Sequence, residues 1–232
     1  MLNEILSQAP VFLLIFARIF AMLLVLPMFS MRSASRVAKV ALAGYMAFFI
    51  FGTCDLSYYL PYIAQDGSFS MEYFLILIGE VLIGIILGFF ITMIFSAFST
   101  AGQFLAFQMG FSAASSYDSL SQVENPLMGQ FFNLIAMLVF MQTHWFQKLF
   151  LQGLVTSFSS LNAISIVQST ESIVKFVISG LSSLFVDALV ISLPVMGSLF
   201  LISICTGLLT KAAPQMNLLS EGFPIMITLA FV

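Results

Sequence analysis

The sequence predicts an all-α integral membrane protein whose long apolar segments are broken or kinked, and three features carry that prediction. Apolar residues make up 61% of the 232-residue chain and charged residues only 7%, too little polar surface to clothe a soluble globule. The apolar residues, 27 phenylalanines among them, come in long continuous runs, where a membrane β-barrel shows short alternating segments. Two of those runs far exceed the ~20 residues that one crossing needs, and each contains residues that bend or interrupt a helix.

Taken in order, a first apolar segment runs from Pro10 to Met31, interrupted only by Arg18, and a second occupies Val37 to Cys54. Glu4 stands where a secretory signal carries a cation, and the first apolar stretch outlasts a signal core, so it is expected to stay in the mature protein. Arg32 and Arg36 lie between the two segments and Lys39 at the start of the second, whereas the stretch from Asp55 to Glu72 carries only acidic charges. Cations favour the cytoplasmic side, so this pattern predicts a cytoplasmic first connection and an external N-terminus. The run from Tyr73 to Phe111 is roughly twice the ~30 Å hydrocarbon thickness if helical. Ser99-Thr100-Ala101-Gly102-Gln103 is the expected break. A polar connection spans Ser112 to Pro126, and two further runs, Leu127 to Gln142 and Trp145 to Leu161, are split by Thr143-His144. After a serine-rich connection, Ile173 to Leu209 forms a second overlong run with Pro194 near its middle, read as a hairpin or strongly kinked pair. The final stretch, Phe223 to Val232, is too short to span. With no internal repeat or flexible linker, residues 1–232 are read as one membrane domain.

Catalysis has little to work with. His144 is the only histidine and adjoins the only tryptophan at a segment end, where such side chains sit at the headgroup level. No close set of His, Cys or carboxylate ligands has metal-site spacing, and no nucleotide-binding loop appears. Cys54 and Cys205 lie at or inside apolar runs and read as small hydrophobes. The net charge of -3 points to no nucleic-acid partner. A non-enzyme without cofactor or metal is expected. Arg18, Glu80 and Asp187 are the charges deepest in apolar runs. Each needs a partner or a wet cavity, since a charge at a helix centre costs at least ~2.5–3.5 kcal/mol on insertion scales. They are read as an internal ion pair or a polar contact at a subunit interface, because an ion relay needs a longer chain of such groups.

Gly84 and Gly88, following Gly79-Glu80, form a small-x-x-x-small seam suited to close helix packing. The uncharged stretch from Phe104 to Tyr117 carries Gln103 and Gln108 at its start and is too polar for lipid yet too apolar for a solvated loop. Such a segment belongs in a protein-lined cavity, either as a packing element or as an apolar constriction that closes a pore.

Four blocks together resemble the FliR family of flagellar biosynthesis proteins, also called SctT in type III secretion: Arg18 to Lys39, Gly79 to Gly88, Ala101-Gly102-Gln103 through Asp118 to Asn133, and Gly207 to Pro224. The most specific is Leu208-Leu209-Thr210-Lys211-Ala212-Ala213-Pro214-Gln215-Met216-Asn217, with Gly222-Phe223-Pro224 behind it. The resemblance implies helical hairpins in a spiral assembly with FliP- and FliQ-type subunits, alongside FlhB-type subunits, partly raised from the bilayer. It implies a gate for unfolded flagellar proteins in the bacterial inner membrane at the flagellar basal body. A pore plug is expected from Phe104, Phe107, Gln108, Met109, Gly110 and Phe111, and subunit packing from Gly84, Gly88, Pro214, Gln215, Met216 and Asn217. Ser119 stands where many relatives have proline, and the chain reaches Val232 without the basic C-terminal stretch that the resemblance leads one to expect. The alternatives are the injectisome version of the same gate and, in a different class, an ion-coupled secondary transporter using Glu80 or Asp187.

Overall fold

The computed structural model describes residues 2–30, 35–53, 57–62, 70–110, 127–163, 170–212, 222 and 224–228. Among these no strand occurs. The helices are α1 (Leu2–Val25), α2 (Pro27–Ser30), α3 (Arg36–Phe51), a 3-10 segment (Ser57–Tyr62), α4 (Met71–Gln108), α5 (Leu127–Gln142), α6 (Trp145–Lys148), a π segment (Leu149–Gly153), α7 (Leu154–Ser160), α8 (Thr170–Ala212) and α9 (224–228). The residues group into two compact units. The first holds Met1–Met93 and Val139–Gly180, the second Ile94–Leu138 and Leu181–Val232. α4 and α8 contribute to both.

In the first unit α1 and α3 form an antiparallel hairpin, with Phe12 near the start of one meeting Phe51 at the end of the other, ring centroids 6.3 Å apart. α1 buries Leu14, Ile15, Ile19, Met22 and Leu23, a spacing that keeps one side of the helix inward. Ser35 starts α3, its hydroxyl accepting from the Ala38 amide at 3.1 Å, which satisfies a free donor of the first turn. α4 lies against α1 through Gly84 and Gly88. A Cβ at Gly88 would stand 2.8 Å from both the Met22 carbonyl oxygen and Val25 Cβ, and one at Gly84 would collide with the Arg18 carbonyl. The glycine seam expected to hold neighbouring subunits is therefore filled by the chain's own α1. Only hydrogen side chains let the two backbones come this close. At the end of α1, the Thr92 hydroxyl donates to the freed Val25 carbonyl at 3.1 Å.

Both overlong runs are continuous helices, which corrects the break expected in the first and the hairpin expected as one alternative in the second. α4 continues for 38 residues without breaking at Ser99–Gln103. Gly102 serves a different purpose there, since a Cβ on it would stand 2.5 Å from the Met128 carbonyl oxygen. α8 continues for 43 residues through Pro194. Proline removes one backbone donor, and the rest of the ladder holds the helix on either side. The expected split at Thr143-His144 is present: α5 ends there, and His144 has φ 58, in the left-handed region. Beyond it the chain passes through the π segment, which buries Phe150, into α7, which buries Leu154 and Phe158.

Three described helices are long and apolar enough to cross a membrane: Gln8–Val25, Met71–Gln108 and Glu171–Ala212. The protein is an all-α membrane protein. Of the window in α8 only 17% is buried within the chain.

Candidate functional site

Two places gather the residues singled out in the sequence. The first, in the first unit, is a buried charge network. Arg18 projects from α1 and Glu80 from α4, both fully buried. Arg18 Nε donates to Glu80 Oε2 at 2.5 Å and Nη2 donates to Oε1 at 2.8 Å, a bidentate pairing. A guanidinium has five donors, and the remainder are taken up locally. Nη1 donates to Ser157 Oγ at 3.2 Å, Nη2 also to the Leu161 carbonyl at 2.9 Å, and the Phe158 ring lies 3.9 Å from Cζ. The Tyr59 hydroxyl donates to Glu80 Oε1 and accepts from the Ala163 amide at 3.3 Å. Burial, with the Glu80 carboxylate beside it, pushes the Tyr59 hydroxyl far above the ordinary phenol range, so it stays protonated and donating.

Gly79 makes this geometry possible. A Cβ there would lie 2.7 Å from Ala163 Cβ, so a side chain would push the 161–163 turn away from Tyr59 and Arg18. The network thus joins four segments distant in sequence: α1, the 3-10 segment, α4 and the end of α7. Periodicity missed Tyr59, Ser157 and Phe158. The available signal was stoichiometric, because Glu80 alone offers too few oxygens for all the donors of Arg18. The pair is closed and neutralised within the chain, an arrangement that orders helices.

The second place, in the second unit, is where the 111–126 connection leaves and returns. Leu105, Ala106, Met109, Met128, Leu199 and Met226 form one buried cluster, with Phe132, Val195, Met196 and Ile202 packed on it. Met109 follows α4 and is 1% exposed. Gly110 then turns the chain with φ 78, a conformation that glycine adopts without strain. At the returning end Gly102 abuts Met128 and Gly129, its would-be Cβ 2.7 Å from Gly129 Cα. Both ends of the connection are therefore pinned to α4. Of the expected plug residues, Met109 is buried in this cluster beside Leu105 and Ala106. Phe107 is 73% exposed, Phe104 and Gln108 are half-buried, and Phe111 lies outside the described residues. Ser203 Oγ lies 3.6 Å from Met226 Sδ, tying α9 to α8. Asn133 Oδ1 is a buried oxygen with no hydrogen-bond partner among the described residues.

Asp187 is not brought to the Arg18–Glu80 pair. It is exposed on α8, and no described segment covers it. Pro214, Gln215, Met216 and Asn217 lie outside the described residues. Among the described residues no cluster of three metal-ligating side chains occurs, and Cys205 is an exposed free thiol.

Residues 9–232 match the family model described as bacterial export proteins, family 1. The chain is 32% identical over 233 residues to the flagellar biosynthetic protein FliR of Bacillus subtilis (strain 168), covering 100% of this chain and 87% of that protein. It is 29% identical to the flagellar biosynthetic protein FliR of Escherichia coli (strain K12), covering 91% of this chain and 77% of the relative. It is also 29% identical to the surface presentation of antigens protein SpaR of Shigella sonnei, over 71% of this chain and 62% of that protein. With the match running almost from end to end and the flagellar proteins among its relatives, this chain belongs to the bacterial export proteins of family 1, the FliR family.

Proposed function

We propose that this chain is a non-enzymatic core subunit of the flagellar type III protein-export gate. It works in the bacterial inner membrane at the basal body, assembled with FliP-, FliQ- and FlhB-type subunits around a path for unfolded flagellar proteins. Family membership supports the gate. The observation that supports a plug is the pinned base of the 111–126 connection: a segment uncharged from Gly110 to Tyr117 leaves beside Met109 at the end of α4 and returns where Gly102 of α4 abuts Met128.

In this reading Met109 anchors the plug, Phe107 and Gln108 flank it, and Phe111 begins the part that closes the pore. Methionines suit the anchor because they repack without large cost when the segment moves. The stretch Pro214, Gln215, Met216 and Asn217 holds neighbouring subunits. A transporter would use Glu80 or Asp187 for ion coupling; Arg18 and Tyr59 engage the Glu80 carboxylate fully, and Asp187 is left without a chain of described ionisable groups to relay through.

Deleting residues 111–117 while keeping Met109 and Gly110 leaves the anchoring cluster intact. Assembled complexes carrying that deletion are expected to conduct small ions across planar bilayers at rest. Normal assembly with unchanged conductance sinks the plug. The similarity to SpaR favours one second reading, the same gate in an injectisome. Restored motility in a flagellar strain lacking its own homologue selects the flagellar version.

A further inference from the structure

We infer that the exposed face of α8 around Asp187 docks on a membrane helix of a different subunit, and that this helix carries a lysine or arginine within an apolar run at the level of Asp187. The inference rests on the export-gate reading, which supplies neighbouring subunits, and adds which face is covered and by what chemistry.

Asp187 stands among exposed apolar side chains, Phe185 and Val186 before it and Leu189 and Val190 after it. It makes no ion pair: among the described residues the pairs are Arg18–Glu80 and Lys175–Glu171. The nearest cations along α8 are Lys175 and Lys211, about 18 Å and 36 Å away at 1.5 Å per residue. A bare carboxylate facing hydrocarbon is costly, so it takes a partner wherever lipid or protein excludes water.

Sliding the helix along the membrane normal does not remove the difficulty. The apolar window Glu171–Ala212 covers 42 residues, about twice what ~30 Å of hydrocarbon accommodates. Raising Asp187 to headgroup level on one side leaves Leu181, Phe185 and Val186 outside the lipid. Lowering it to the other leaves Leu189 and everything up to Leu209 outside. In every placement exposed apolar surface beside Asp187 needs protein cover.

The pattern of exposure indicates a helix as the cover. Ser183, Asp187, Val190, Pro194, Gly197 and Leu201 are all exposed and recur at alternating four- and three-residue steps, the spacing of a left-handed helix–helix seam. A Cβ on Gly197 would meet nothing within 4 Å, so that position is open to a close approach from outside. Asp187 sits within this seam, which places the complementary charge on the incoming helix.

A second copy of this chain does not fit. Parallel packing in register would set two Asp187 carboxylates against each other. In other arrangements the cations of the described apolar helices are Arg18, which is fully buried and engaged by Glu80, and Arg36, Lys39, Lys175 and Lys211, which stand near helix ends and not inside an apolar run, Lys175 being already paired with Glu171. The partner is therefore a different polypeptide.

The test uses the full chain in its assembled membrane complex, with a photo-reactive amino acid at Val190. Irradiation is expected to give an adduct with a protein subunit, mapping to an apolar run that contains Lys or Arg. Asp187→Lys should cut both adduct and subunit recovery at least about tenfold, and exchanging the partner's cation for Asp or Glu should restore them. Asp187→Asn, which keeps the size and leaves membrane insertion intact, should cut the adduct several-fold. Adducts with lipid alone, a mapped helix without a cation, or full recovery with Asp187→Lys each overturn the inference. If the unaltered chain co-purifies with export subunits while Val190 labels lipid, this inference falls and the gate reading stands. If the unaltered chain recovers no export subunits, both fall.

Discussion

Arg18 brings five N–H donors into a fully buried place, and Glu80 supplies two oxygens, so Ser157, the Leu161 carbonyl and the Phe158 ring fill the difference. Removing one partner leaves the other buried and unpaired. Arg18→Ala is expected to destabilise the solubilised protein by about 3–5 kcal/mol, whereas replacing both Arg18 and Glu80 by Met costs far less. Unfolding of the single and double variants in detergent measures the difference, and equal losses would show that the ion pair is not the cause. Tyr59 responds to base. Its hydroxyl is held above its unfolded range, so the stability it contributes is complete at neutral pH and is lost as pH climbs past about 10. Tyr59→Phe should lower stability by about 1–3 kcal/mol at pH 7 and flatten that alkaline decline, seen in the same unfolding assay at pH 7 and 11. The two charges were legible in the sequence because each interrupts an apolar run. Tyr59 was not, because it lies in a connection where neither period nor composition marks it, and only the fold brings it to Glu80.

Helix boundaries followed the apolar runs closely, as at Leu127–Gln142, where composition and length leave little choice. The reading failed at Ser99–Gln103 and at Pro194, for one physical reason. Glycine and proline report a local backbone allowance, and tertiary contact decides its use: Gly102 admits the Met128 and Gly129 backbone, and α8 passes through Pro194 intact. The seam of Gly84 and Gly88 was legible as tight packing, but its partner was not, since α1 and an outside helix present the same kind of surface. The turn after α5 offers a direct check. His144 has φ 58, a conformation that costs a side-chain-bearing residue roughly 1–2 kcal/mol. His144→Gly should therefore hold or gain up to about 1 kcal/mol of stability, and His144→Val should lose more than that. Thermal unfolding of the two variants decides it, and a loss with glycine would show that the imidazole itself is needed.

At the scale of the whole chain, the class of protein was visible in composition alone. Its division into two compact units was not, because α4 and α8 run unbroken through both and no change of composition marks where one unit ends. The plug was legible as an oddly uncharged stretch, while its anchoring by Met109, Met128 and Met226 depends on contacts between residues far apart in sequence. A last consequence follows from the length of α4 and α8. A helix matched to the bilayer takes its height from the lipid, rising or tilting as the leaflets thicken. One whose greasy surface extends well beyond both leaflets receives no such instruction, so its vertical position is set by whichever proteins grip it. Once its neighbours are in place, this subunit can keep the same altitude in thin and thick membranes alike.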